Sequence, residues 1–188
     1  MKSSVVNLDN YFRRLMGSLA QMPLAPIDAA IKALEQARIE GRTIFTMGNG
    51  GSASTASHFT CDLGKGTIQE GRPKFRAFCL NDNVSIMTAW ANDTHYSNIF
   101  AGQIASFVQP GDVVVAISVG GNSPNVVAGM RAAKDRGACC IALVGSGGGR
   151  LETIADVAIL VPNSNTEPVE DLHLLVCHAI AVCLRQRE

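Results

Sequence analysis

Residues 113–118 read Val-Val-Val-Ala-Ile-Ser, a run of β-branched side chains with no polar alternation. A strand of that kind has no face to give to water. It belongs inside a parallel sheet with helices covering both sides. Four other stretches read as strands: 43–47 (TIFTM), 74–80 (KFRAFCL), 139–145 (CCIALVG) and 157–162 (VAILVP). Helical spacing lies outside and between them. Residues 4–20 place Val5, Leu8, Tyr11, Phe12, Leu15 and Leu19 at that spacing, until Pro23 and Pro26 interrupt it. Residues 26–40 set Ile27, Ala30, Ile31, Leu34 and Ala37 on one face, and Gly41 supplies the stop. Segments 123–136 and 167–185 are helical too. Such alternation predicts an α/β protein: a three-layer αβα sandwich with a five-stranded parallel sheet and two N-terminal helices. We expect one domain over 1–188, with a helical extension at about 1–41 and no linker long enough to divide it.

Two of these strands end in the same chemistry. The first runs into Gly-Asn-Gly-Gly-Ser (48–52) and the third into Ser-Val-Gly-Gly-Asn-Ser (118–123), each followed by a helix. Open α/β sheets bind ligands at the carboxyl ends of their strands. A helix start there offers unpaired N–H groups and partial positive charge, and glycines leave the backbone unshielded. Two serine-bearing loops of this kind form an anion site suited to phosphate. Gly48, Gly50 and Gly51 give GxGG rather than the dinucleotide spacing GxGxxG, and no Gly-Lys-Ser/Thr occurs. A third glycine run, 145–150 (GSGGGR), reads as a flexible turn. His58 and Asp62 stand four apart on the helix after the first loop, hence on one face. By spacing alone they fit either a surface pair or a site. His178, in the apolar stretch LLVCHAIAVCL, fits either a core histidine or a site, and His95 reads as surface.

Sixteen basic residues balance sixteen acidic ones with no Lys/Arg cluster, which argues against direct nucleic-acid binding. No apolar run reaches membrane-spanning length and the N-terminus lacks a signal-peptide core, so a cytoplasmic protein is expected. Six cysteines (61, 79, 139, 140, 177, 183) form no CxxC pair, and are expected as buried free thiols.

The stretches GNGGSASTASHF and ISVGGNSPNVVAGMRAAKDRGACCIALVG, with AND (91–93) and EDLHLLVCH (170–178), resemble the sugar isomerase (SIS) domain family in its phosphoheptose isomerase branch. The resemblance covers roughly 5–185 and implies a flavodoxin-like SIS fold. It further implies a cytoplasmic homotetramer with sites shared between subunits. The implied reaction converts a ketose phosphate, sedoheptulose 7-phosphate, to an aldose phosphate, D-glycero-D-manno-heptose 7-phosphate, through an enediol(ate). By the same resemblance, substrate contacts fall on Asn49, Gly50, Gly51 and Ser52, on Asn92 and Asp93, on Ser118, Val119, Gly120 and Ser123, and on Asp62 and Glu170. Proton transfer falls on Asp62 and His178, and zinc on His58, Asp62, Glu170 and His178. This chain departs from the family pattern at Asp62 (usually Glu), Glu170 (usually Gln), and Val119 and Gly120 (usually Thr and Ser). The loop changes remove two hydroxyl donors and leave backbone N–H groups, Ser118 and Ser123 to hold phosphate. Eight residues of continuous helix would separate Glu170 from His178 by about 12 Å. Either Glu170 precedes the regular helix or the ligands come from different subunits. Cys61 and Cys177 are nearby thiols able to substitute as ligands. The alternatives left open are a non-catalytic SIS module that binds a phosphosugar or scaffolds a replication initiator, and an isomerase of another sugar phosphate.

Overall fold

The computed structural model describes residues 4–186. Residues 1–3 and 187–188 of the expected domain, and the side chain of Val5, lie outside the described residues. Two helices open the chain, α1 (Ser4–Leu19) and α2 (Leu24–Ile39). Then follow β1 (Thr43–Gly48), α3 (Gly51–Cys61) with a wider π-helical turn at Asp62–Gly66, and β2 (Arg76–Cys79). Next come α4 (Val84–Asp93), a 3₁₀ turn (Tyr96–Asn98), α5 (Ala101–Phe107), β3 (Val113–Ser118) and α6 (Pro124–Asp135). The chain closes with β4 (Cys139–Val144), α7 (Gly149–Ile154), β5 (Val157–Leu160) and α8 (Thr166–Gln186).

All strand pairs are parallel, in the order β2-β1-β3-β4-β5. The expected three-layer αβα sandwich follows from how β3 divides its side chains. Val113, Val115 and Ile117 join a core built with α2, α3 and α8. Val114 and Ala116 join a second core with α5, α6 and α7. Both faces are buried, as an unbroken β-branched strand requires.

The edge strand differs from its expected form. β2 covers only Arg76–Cys79, and Phe78 is exposed. Three short helices, α4, α5 and α7, were not singled out from the sequence. In α1, among the described residues, only Leu15 of the spaced apolar residues packs on the core. Tyr11 donates its hydroxyl to Asp171, while Leu8, Phe12, Met16 and Leu19 stay exposed. The thiols are free, but only Cys79, Cys140 and Cys177 are buried; Cys61 and Cys183 are exposed, against expectation. Burial pushes the Cys140 thiol up to about 12 and raises that of Cys177, with the Asp62 charge adding to the latter.

Candidate active site

The strand order reverses direction between β1 and β3, and this is where open sheets of this type leave a crevice. Both glycine–serine loops emerge there. A Cβ on Gly48 would stand 2.6 Å from the Ser52 carbonyl oxygen, so the turn into α3 closes only over glycine. The Asn81 amide pins that glycine from the side. Its Oδ1 accepts from Gly48 N at 3.1 Å and its Nδ2 donates to Gly48 O at 2.9 Å. Gly50 has φ +55°, open to glycine at little steric cost, and starts α3. Asn49 points its amide at Asn125 in α6, each donating to the other at 2.8 Å.

The second loop begins at the buried Ser118 and ends at Ser123, the residue that precedes α6. Pro124 opens that helix, where its missing N–H costs nothing. The Ser123 side chain makes no capping bond, so its hydroxyl is not committed to the helix. The third glycine run is a turn leading into α7, but not one that stands alone. It is seated on the second loop: Gly145 N donates to Val119 O (2.9 Å), Leu151 N to Gly121 O (3.0 Å) and Arg150 N to Asn122 Oδ1 (3.0 Å). Gly121 (φ +64°) and Gly149 (φ +62°) allow the two backbones to cross, since a Cβ on either would collide with a carbonyl oxygen of the other loop.

A third group forms where α3 packs on α8. His178 Nε2 and His58 Nε2 are 3.2 Å apart, with ring centroids at 4.9 Å. Asp62 Oδ1 lies 3.7 Å from His58 Nε2, and Asp62 Oδ2 lies 3.6 Å from His178 Nε2. The three side chains are partly exposed, yet Asp62 Oδ2 itself is buried without a hydrogen bond. Ligand atoms held tetrahedrally at 2.0–2.1 Å from a zinc ion stand roughly 3.3 Å from one another. Two imidazole nitrogens and one carboxylate, whose buried oxygen has no hydrogen bond, at such spacings fit a divalent ion. A hollow of about 180 Å³ opens beside Asp62 and His178, lined also by Gly66, Val182 and Arg185. A larger hollow, about 680 Å³, lies between α1 and the start of α8 and includes none of the three.

Glu170 does not join this trio within one chain. It lies inside α8, so it does not precede the regular helix. A Cβ on Gly51 would collide with its carboxylate, which therefore sits over the first turn of α3. The free N–H groups and positive end of α3 favour a carboxylate there. Asn92 and Asp93 end α4, exposed, with Asn92 Nδ2 donating to Asp93 Oδ1 at 2.8 Å. His95 caps the 3₁₀ turn, accepting from Ser97 N at 3.1 Å, in keeping with a structural surface role. Sequence reasoning missed Asn81 and Asn125. Asn125 follows a glycine loop in sequence and Asn81 does not; for both, only the non-local partner reveals what the side chain does.

The sequence profile of the SIS domain matches residues 9–145. The chain belongs to the SIS domain family. Among its curated SIS relatives, the phosphoheptose isomerase of Bordetella avium is 40% identical over 179 residues, covering 92% of this chain and 90% of that protein. The lincomycin biosynthesis protein LmbN of Streptomyces lincolnensis is 45% identical over 153 residues, covering 76% of this chain but only 55% of that protein. Among solved SIS structures, a phosphoheptose isomerase from Francisella tularensis superposes with a TM-score of 0.91 at 28% identity, over 98% of this chain and all (100%) of that one. No helix among the described residues is long and apolar enough to cross a membrane.

Proposed function

We propose that this SIS-domain chain is an aldose–ketose isomerase that converts sedoheptulose 7-phosphate to D-glycero-D-manno-heptose 7-phosphate. The observation that carries this reading is the His58–Asp62–His178 cluster on α3 and α8, in a fold whose two glycine–serine loops flank the sheet's switch point. Likeness to phosphoheptose isomerases over nine-tenths of the chain supports it.

The roles follow from the chemistry. Ser118, the backbone N–H groups of Val119 and Gly120 that follow β3, and Ser123 at the start of α6 hold the phosphate. Asn49, Gly50, Gly51 and Ser52, with Asn92 and Asp93, hold sugar hydroxyls. Asp62 takes the C1 proton of the ketose while His178 protonates the C2 oxygen, giving the enediol. Removal of the O1 proton and return of a proton to C2 then yield the aldose. The negative charge that develops on oxygen needs donors fixed in advance, which the loop N–H groups and the imidazoles supply. His58, Asp62 and His178 are the residues that would hold zinc, with Glu170 outside the trio in one subunit. When bound, the ion supplies Lewis-acid polarisation of the sugar oxygens.

A cytoplasmic homotetramer is part of the same proposal. Leu8, Phe12 and Met16 repeat at four-residue spacing along the outer face of α1, all exposed, with Leu24 of α2 exposed as well. An apolar surface of that kind supports association with other copies.

Purified protein incubated with sedoheptulose 7-phosphate, with and without zinc, should form the aldose phosphate. Failure in both conditions, or full turnover by Asp62→Ala, refutes the proposal. A second reading, isomerisation of a different sugar phosphate in a biosynthetic route, is favoured by the 45% identity to the lincomycin protein. Val119, Gly120 and Glu170, where the family pattern has Thr, Ser and Gln, keep that reading open. A panel of ketose phosphates assayed side by side separates the two. The presence of the trio speaks against a purely scaffolding role.

A further inference from the structure

We propose that Asn125 is a positioning residue that ties the sugar-binding loop to the phosphate-binding loop through the side chain of Asn49. The proposal rests on the reading of those two loops given above. β1 and β3 are paired only as far as Gly48 and Ile117. Past that register their loops leave the ladder, and side chains must set the gap between them. Asn125 lies in the first turn of α6, directly after the phosphate loop, and is 2% exposed.

A primary amide offers two N–H donors and one carbonyl oxygen. Asn49 and Asn125 exchange one donor and one acceptor each, at 2.8 Å in both directions. This paired geometry locks the two amides to each other, with the oxygen and one N–H of each spent on the other. The Tyr96 hydroxyl approaches the same Asn49 Oδ1 at 3.5 Å. One N–H of Asn49 is then left to donate to a sugar oxygen. A buried amide persists only where its hydrogen bonds are met, and here Asn49 meets them.

A phosphosugar spans both loops, whereas inorganic phosphate needs only the second. Loss of Asn125 should therefore weaken the sugar phosphate selectively. Calorimetric titration of the full-length protein reads this. In Asn125→Leu the dissociation constant for sedoheptulose 7-phosphate should rise about tenfold, the effect of one or two net hydrogen bonds. That for inorganic phosphate should change less than about twofold. In an Asn49→Ala background the Asn125→Leu effect should vanish, because residues acting as one unit are non-additive. Asn125→Ala carries the same comparison if the leucine variant does not fold. Equal loss of both ligands, an undiminished effect in the Asn49→Ala background, or no effect at all overturns the proposal. A wild type that binds the sugar phosphate without turning it over refutes the isomerase reading alone. Variants that bind like a competent wild type refute this proposal alone, and a wild type that does not bind it refutes both.

Discussion

His173 makes the stability of this protein depend on pH in a way that can be isolated. It lies on α8 between Glu170 and His178 and is fully buried. Neither ring nitrogen reaches full hydrogen-bond geometry with a partner among the described residues, although the nearby Val144 backbone favours the charged form and opposes the effect of burial. Burial dominates and lowers the imidazole pKa from 6.5 to about 4. The unfolded chain therefore binds a proton near pH 6.5 that the folded chain refuses until about pH 4. Stability falls as pH drops through that window, and is unaffected by this group above it. Each unit of separation is worth 1.36 kcal/mol, so the full effect is about 3 kcal/mol, of which about 2 kcal/mol arises between pH 7 and pH 5. Urea unfolding of wild type and His173→Leu, at one protein concentration and with chelator present, measures it. The loss of stability from pH 7 to pH 5 should be smaller in the variant by about 2 kcal/mol. At pH 7 the variant should be within about 1 kcal/mol of wild type or more stable, since an unpartnered polar ring is replaced by an apolar side chain of similar size. Equal losses in the two proteins would refute the reasoning.

Two further outcomes are expected. Zinc at a hundredfold excess over its dissociation constant should stabilise the folded protein by about 2.7 kcal/mol, read as a rise in Tm, and His58→Ala should abolish the rise; a rise that survives the substitution places the ion elsewhere. Gly121→Ala should destabilise the fold by about 1–3 kcal/mol and weaken inorganic phosphate binding, because φ is +64° and the new Cβ meets the Gly148 carbonyl; unchanged phosphate affinity would show that the third loop does not shape the second.

How far the sequence carried the fold depended on the range of the forces involved. β3 was legible because six residues state their own burial. α4, α5 and α7 were not, being 10, 7 and 6 residues long and too short for a helical period to stand out. The loop 145–150 looked mobile because glycines in isolation signal only freedom. Their use here is to let one backbone cross another far away in sequence. The apolar spacing of α1 was legible, but spacing gives no hint of whether the face meets its own core or another surface.

The trio shows the same limit from the side of chemistry. Spacing placed His58 and Asp62 on one helical face, and their 3.7 Å approach follows from that local geometry. Nothing local brings His178 to 3.2 Å from His58; that requires α8 to pack on α3 in a particular register. The packing also accommodates a carboxylate one methylene shorter than the family's usual Glu. Asp62 turns its two oxygens to two different imidazoles, at 3.7 and 3.6 Å, and each histidine comes from a different helix. The reach that the side chain lacks is supplied by the approach of the helices. It also begins the π-helical turn Asp62–Gly66, a widening that recurs at functional sites.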